Sequence, residues 1–502
     1  MENFSLLAQG FSTALTFTNI FAALVGAFLG MIIGAMPGIG SLAGCALLLP
    51  LTFKMEPTTA IIMLAAIYYA NMYGGSFSAI LLNIPGDSPA IMTTLDGYPL
   101  TKQGKAGKAL FTANLASFIG GSIGIVLLTI IGPLVANVGL AFGPAEMVSL
   151  LLLALTSIGW LLGENPSKGL AMAGVGILIS TIGMDPTTGQ ARFTFGIIDL
   201  LSGVNFIPLV IGLFGFSQVM DMMGNKQNFS FLGGTKLTLR ESLLEWPEIV
   251  RILPTCIRGG LLGNFVGVLP GAGATIASFL SYTLNRRVCK NGEHFGEGVL
   301  EGVAASEAAN NAAAAGAFAP LLSLGIPGSG TAAVLLGGLM MWGLKPGPQL
   351  FTESPDFVWG LIASMYVGNI MCVIMAMAVI PFLVHILRVP SSVMAPAITV
   401  LCIVGAYSVN NNMFDVGVML LAGSLAYFFN MHNFSLAPLL LSFVLTPRLE
   451  QSFHQAFQIS NGNAMIFLTK PISLALLIAL ALSIIAPLIF KLHQKNKING
   501  YN

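Results

Sequence analysis

Apolar positions in this chain come in unbroken runs, not on one face of a helix or on alternate residues of a strand. Residues 122–140, 147–163, 369–386 and 472–490 are examples, each close to the roughly 17–25 residues an α-helix needs to cross a bilayer. Such runs fill most of the length and predict an all-α chain that crosses a membrane many times. The information lies in the interruptions. Gly34-Ala-Met-Pro37-Gly38-Ile-Gly40-Ser41 is followed by Leu82-Asn83-Ile-Pro85-Gly86-Asp87-Ser88, and both break apolar segments. Gly267-Val-Leu-Pro270-Gly271-Ala-Gly273-Ala-Thr275 and Gly325-Ile-Pro327-Gly328-Ser329-Gly330-Thr331 do the same half a chain later. The offsets, 270 − 37 = 233 and 327 − 85 = 242 residues, make the halves duplicates of one unit. Pro and Gly at membrane depth free backbone N–H and C=O groups that lipid cannot satisfy, so such breaks belong where protein or a wet cavity does so. Paired breaks in corresponding halves are the sequence mark of a secondary transporter's binding site.

Composition removes the soluble alternative. Only 8% of the 502 residues are charged and 55% are hydrophobic, whereas soluble domains carry roughly 25% charged residues. The net charge of +1 therefore gives no reason to expect a nucleic-acid partner; where the charges sit matters more. Lys and Arg collect on the cytoplasmic side of membrane proteins. Placing Lys102/Lys105/Lys108, Arg286/Arg287/Lys290, the central stretch and the C-terminal lysines inside puts Lys168 and Arg388 inside by alternation, which gives 16 basic residues inside and 5 outside, the 21 present. The expected organisation is a membrane repeat over 1–222, a cytoplasmic linker over 223–250, an inverted repeat over 251–490 and a cytoplasmic tail over 491–502. With the breaks counted as re-entrant hairpins or broken helices, roughly 10–12 membrane segments are expected. In the first half, 16–53 enters, breaks and returns, and 57–100 is the next pass.

Each break exposes N–H groups and partial positive charge at one helix end and carbonyls at the other. The first suits a carboxylate and the second a hard cation such as Na⁺. The candidate substrate and ion residues are therefore Pro37, Gly38, Gly40, Ser41, Asn83, Pro85, Gly86, Asp87 and Ser88, with Pro270, Gly271, Gly273, Thr275, Pro327, Gly328, Ser329 and Thr331 in the second half. Asn71, 14 residues before Pro85, and Asn310 and Asn311, 17 and 16 before Pro327, are candidates to line the same cavity. Helix packing through small residues and Asn is the alternative reading of these positions. Asp87 suits a cation, a proton or a helix cap. Glu146, Glu301 and Glu307 lie in or beside apolar segments, where an ionisable residue is a functional candidate by default; an interfacial position is the alternative. The five cysteines have no paired spacing, and no P-loop, H-E-x-x-H or G-x-S-x-G motif occurs. No catalytic residue, metal set or cofactor is expected, and energy must come from an ion gradient or another subunit.

Tyr68-Tyr-Ala-Asn71-Met-Tyr73-Gly-Gly75-Ser76-Phe-Ser78, Leu95-Asp96-Gly97-Tyr98-Pro99, Leu269-Pro270-Gly271-Ala-Gly273-Ala-Thr275, Ala305-Ser-Glu307-Ala-Ala-Asn310-Asn311 and Asp185-Pro-Thr-Thr-Gly189-Gln-Ala-Arg192 resemble the large membrane subunit (TctA type) of the tripartite tricarboxylate transporters. The resemblance runs over roughly 10–470. It departs at Asp87-Ser88-Pro89, where Thr and Ala-rich sequence is common in the family. It implies a multi-pass importer of the bacterial inner membrane working with a small membrane subunit (TctB type) and a periplasmic solute-binding protein (TctC type). It also implies Na⁺- or H⁺-driven import of a tricarboxylate or related organic acid by alternating access, with site roles at the Pro-Gly pairs, Asn71, Asn310 and Asn311. A membrane enzyme acting on lipid-linked substrates and a passive anion channel are the competing readings. The first lacks a visible nucleophile or acid/base pair, and the closed Pro-Gly tips argue against the second.

Overall fold

In a computed structural model of the chain, residues 2–36, 39–161, 166–185, 188–224, 242–379 and 391–499 are described. They are helical apart from turns, loops and one antiparallel pair, Gly183–Met184 with Ala191–Arg192. Among the described residues eight helices are long and apolar enough to cross a membrane, and five shorter apolar helices accompany them. The protein is an all-α polytopic membrane protein. Two of the shorter apolar helices, Gly40–Thr52 and Gly330–Met341, are the pieces that the breaks leave. Most of the expected linker, 225–241, lies outside the described residues, and a final helix, Pro471–Asn499, runs through the start of the expected tail.

The chain forms two compact units, Met1–Asn137 with Asn205–His432, and Val138–Val204 with Asn433–Asn502. The larger unit holds both sets of breaks. Its first half is built from α1 (Glu2–Ala14), α2 (Phe17–Ala35), α3 (Gly40–Leu48), α4 (Pro57–Leu82), α5 (Ile91–Lys102) and α6 (Ala106–Gly139). Its second half contains α7 (Trp246–Val268), α8 (Gly273–Val288), α9 (Leu300–Gly316), α10 (Phe318–Leu324), α11 (Gly330–Met341) and α12 (Pro355–Val379). Helices Phe206–Gly224, Ser392–Asn410 and Met413–Met431 complete the unit. In the smaller unit, Pro166–Ser180 packs closely on Ala437–Ile459, where a Cβ at Gly176 would lie 2.2 Å from the Leu439 carbonyl oxygen. Arg192 there makes a bidentate pair with Glu450, at 2.5 and 3.2 Å.

The duplication is written into the packing. Along α2, a Cβ at Gly26, Gly30 or Gly34 would sit 2.3–2.4 Å from the carbonyl oxygens of Met63, Ile67 and Asn71 on α4. Along α7, Gly259, Gly263 and Gly267 meet the carbonyls of Ala305, Ala309 and Ala313 on α9 at 3.1, 2.3 and 2.3 Å. The two glycine rows are offset by 233 residues and the two carbonyl rows by 242, the same offsets as the breaks. Small residues at such spacing let helix backbones touch, which is how helices associate where lipid removes the hydrophobic drive.

The breaks take two forms. α2 and α3 fold back as a hairpin, with Gly44 against Ile33. α7 and α8 do the same, with Arg258 Nε donating to Asn285 Oδ1 at 2.9 Å and Thr255 facing Cys289 at 3.4 Å. α4 ends on Asn83 and α10 on Gly325, both left-handed with φ of 61° and 65°. In both cases the next N–H returns to the carbonyl six residues earlier, Ile84 to Ser78 and Ile326 to Pro320. The chain then doubles back, Gly86 N–H reaching Gly75 O at 3.2 Å, before α5 resumes the direction of α4 with Thr101 Oγ1 on Ile80 O. The expected 57–100 pass is thus one interrupted helix, and 16–53 an in-and-out hairpin.

Contacts between the halves are reciprocal. α3 packs on α11 and, at the equivalent place, α8 on the turn Ser88–Ala90; α5 packs on α9, and α4 on α11. One junction is fixed by charge. Asp96 of α5 is fully buried and accepts N–H bonds from Gly296, Gly298 and Val299, at 2.9–3.0 Å, and the Tyr282 hydroxyl at 2.7 Å. It thereby satisfies three N–H groups of the loop that leads into α9. Asp96→Ala strands these groups in the interior, so it is expected to cost about 3 kcal/mol or more. Thermal unfolding in detergent checks this, and an unchanged midpoint would remove Asp96 from the structural account.

Candidate functional site

The tips of the two halves meet in the larger unit. α3 begins at Gly40 and α8 at Gly273, both at positive φ, 66° and 62°, which glycine adopts without strain. Against Gly40 stands Asp87 from the other break of the same half; a Cβ at Gly40 would lie 3.0 Å from its carboxylate. Against Gly273 stands Ser329, the residue 242 positions after Asp87. Asp87 and Ser329 both cap. Asp87 accepts from the N–H groups of Ser41 (2.8 Å) and Ser88 (2.7 Å), and Ser329 Oγ from that of Ala332 (3.2 Å).

Two hydroxyl pairs join the halves across this meeting point. Ser41 Oγ lies 2.9 Å from Thr331 Oγ1, and Tyr68 OH lies 3.1 Å from Ser329 Oγ. Tyr68 is held by Tyr69, which stacks on it, and by Phe318 at 6.2 Å between ring centroids. Behind this seam sit amides and hydroxyls without partners. Asn71 is fully buried, and neither its oxygen nor its nitrogen has a hydrogen-bond partner among the described residues. Its amide nitrogen faces Gly44 on α3, 3.7 Å from where a Cβ would be. The side-chain oxygens of Asn310 and Asn311 and the Tyr69 hydroxyl are likewise buried and unpaired. Buried polar atoms are nearly always paired in native structures, which makes these groups beside the breaks the candidates to contact a ligand.

Glycine has a second use at the tips. A Cβ on Gly86 would stand 1.9 Å from the Gly34 carbonyl oxygen, and one on Gly328 would stand 2.6 Å from that of Gly267. The two breaks of each half therefore touch backbone to backbone at the end of α2 or α7, which places carbonyl oxygens at the tips. The halves differ in charge. The N-terminus of α3 already faces the Asp87 carboxylate, whereas among the described residues no side chain caps that of α8.

Of the expected residues, Gly40, Ser41, Gly86, Asp87, Gly273, Gly328, Ser329 and Thr331 come together at the tips, and Asn71, Asn310 and Asn311 line the helices behind them. Pro85 and Pro327 follow the left-handed caps by two residues, where proline stops a helix from resuming. Asn83 supplies a left-handed φ and is itself exposed, as is Ser88. Thr275 also points outward; the repeat partner of Ser41 is Ala274, so the hydroxyl pattern of the first hairpin does not recur in the second. Gly271 has φ of 76° at the turn after Pro270. Pro37 and Gly38 lie outside the described residues. Glu301 pairs with Arg251 at 2.9 Å, away from the tips, and Glu146 begins a helix of the smaller unit. Tyr68 was missed. The offset of 242 residues makes it the counterpart of Asn310, and that register is the signal that finds it.

The sequence matches the family described as "Tripartite tricarboxylate transporter TctA family" over residues 20–441. It is similar to the "Uncharacterized 52.8 kDa protein in TAR-I ttuC' 3'region" of Agrobacterium vitis, 42% identical over 487 residues, 97% of this chain and 96% of that one. An "Uncharacterized protein in TAR-II ttuC' 3'region" of the same organism is 44% identical over 215 residues, 43% of this chain and 89% of that one. No solved structure matches the chain.

Proposed function

Because the chain belongs to the tripartite tricarboxylate transporter TctA family, we propose that it is the permease subunit of a binding-protein-dependent secondary transporter. In this reading it imports a tricarboxylate or related organic acid, driven by a Na⁺ or H⁺ gradient, and performs no enzymatic reaction. The observation that carries the reading is the convergence of the duplicated breaks on the Ser41–Thr331 and Tyr68–Ser329 pairs. A substrate carboxylate is drawn to N–H groups at a helix start. Asp87 occupies the start of α3 and repels an anion there, so the uncapped start of α8, beside Ser329, is the better place for it. Reciprocal contacts between the halves fit a two-fold relation, and the distribution of Lys and Arg fits an axis in the membrane plane, the inverted-repeat plan of alternating-access carriers.

The protein then sits in a bacterial inner membrane with its C-terminus in the cytoplasm. It works with a small membrane subunit and a periplasmic solute-binding protein that presents the substrate. The test is uptake of labelled citrate and of a panel of di- and monocarboxylates into cells expressing the chain with both neighbouring subunits, with and without imposed Na⁺ or pH gradients. Saturable uptake that needs the partners and a gradient is expected. Uptake that survives collapse of every ion gradient would return the passive-channel reading.

A further inference from the structure

We propose that Glu307 is a proton-binding site, and that its proton is the ion moved with the substrate; the second clause rests on the transport reading above. Glu307 lies on α9 with 0% of its surface exposed. Its partners come from three helices and are all neutral. Thr93 of α5 and Ser117 of α6 (3.3 Å) hydrogen-bond its two oxygens, and Asn310 follows one turn along α9. Thr93 Oγ1 also lies 3.0 Å from Ser306 Oγ, which donates to the Val303 and Gly302 carbonyls at 3.0 and 3.2 Å.

The hydrogens in this cluster can be counted. A protonated Glu307 gives its hydrogen to Thr93, Thr93 to Ser306, and Ser306 to a backbone carbonyl, while Ser117 donates to the other carboxyl oxygen. Every contact then joins one donor to one acceptor. If Glu307 is ionised, the single Thr93 hydrogen must turn to it, and Ser306 can meet Thr93 only by withdrawing its own hydrogen from the Val303 and Gly302 carbonyls.

Among the described residues no cation pairs with Glu307. Among the described residues of the elements packed on α9, α7 offers Arg251, held by Glu301, and Arg258, held by Asn285 and Cys289. Its Glu248 is engaged by Lys108 of α6, and Cys256 is a buried thiol. α8 offers Tyr282, bonded to Asp96 of α5, and the exposed Arg286 and Arg287; α5 also carries Tyr98 and Lys102, which lie against each other. α4 offers Tyr68, on Ser329, Tyr69, on Phe318, and Tyr73, which donates to Asn369. A carboxylate without a counter-charge in such a place is costly, and binding a proton removes the cost.

The fold does not need this cluster. At the same junction in the other half the equivalents of Ser306, Glu307 and Thr93 are Leu64, Ala65 and Leu335, all buried and apolar. The acid is also well placed for coupling. It stands one helical turn before Asn310, and Thr93 lies on the segment that follows the Pro85–Asp87 break, so a shift of that tip changes the carboxyl's partners.

Infrared difference spectroscopy of the full-length protein in lipid tests the first clause without any substrate. The carbonyl stretch of a protonated carboxylic acid is expected at neutral pH, lost in Glu307→Gln and shifted in Thr93→Val. The Thr93 variant keeps the test open if Glu307→Gln fails to fold. No band lost or shifted in these variants overturns the proton site. In cells with both partner subunits, an inward pH gradient is expected to accelerate citrate uptake by the wild type and by a Gly368→Ala control, and Glu307→Gln is expected to lose that acceleration. A wild type with the band but no response to the pH gradient overturns the coupling. If no carboxylate moves at all, the transport reading fails, and the infrared band still decides whether Glu307 holds a proton.

Discussion

Gly86→Ala and Gly328→Ala are each expected to abolish transport while leaving the protein inserted and folded. One methyl group is enough, because it would stand 1.9 Å from the Gly34 carbonyl oxygen in one case and 2.6 Å from that of Gly267 in the other. Both neighbours are backbone, so no rotamer change relieves the clash and the tip itself must move. The tip carries Asp87 or Ser329 on the next residue, and with it the capping bonds and the Tyr68 and Ser41 contacts. A displacement of that size misplaces every polar group at the seam, and a loss of at least about tenfold in uptake is expected, equivalent to ~1.4 kcal/mol. Gly368→Ala, where a Cβ meets nothing within 4 Å, controls for substitution of a buried helical glycine. Wild-type uptake by both tip variants would remove the breaks from the site.

Asn71→Ala is the second large effect and separates function from packing. A buried amide that bonds nothing is a burden on the folded state of about 1–3 kcal/mol. Removing it costs only a small cavity, so the melting temperature in detergent should stay within what about 1 kcal/mol produces, in either direction. Uptake, by contrast, should fall at least about tenfold, because the amide nitrogen faces the first hairpin and the amide has no partner among the described residues, and ~1.4 kcal/mol of lost interaction is a factor of ten. A variant that melts far below the wild type would show the amide to be structural. One that is unaltered in both respects would show that it faces nothing of consequence.

Much of this was legible in the chain. Runs of apolar residues gave the helices, and four Pro-Gly breaks at two constant offsets gave the duplicated unit and most of the tip residues, because a helix cannot run through Pro and Gly without a reason. The offset also held the position of Tyr68, had it been applied beyond the breaks. What the sequence did not disclose depends on side chains brought together from far apart. Nothing near Thr93 announces that it will bond Glu307, 214 residues away, and nothing in Leu95-Asp96-Gly97 marks an acid that ties down a loop 200 residues on. Thr275 was misleading for a related reason: its place in the motif matched, but the helix turns its side chain outward.

The reciprocity of the contacts between the halves has a consequence for counting. Two identical half-length chains packed about a two-fold axis make every contact twice, so a single acid placed at that junction would appear in pairs, and such an assembly would take up protons two at a time. Joining the halves in one chain lifts that constraint. Here position 307 is Glu and its counterpart, position 65, is Ala, so a packing scheme that is two-fold in its backbone holds one acid where a symmetric dimer would hold two. Odd stoichiometry, and with it a net charge per cycle set independently of the number of substrate sites, is open to the fused chain and closed to the dimer it resembles.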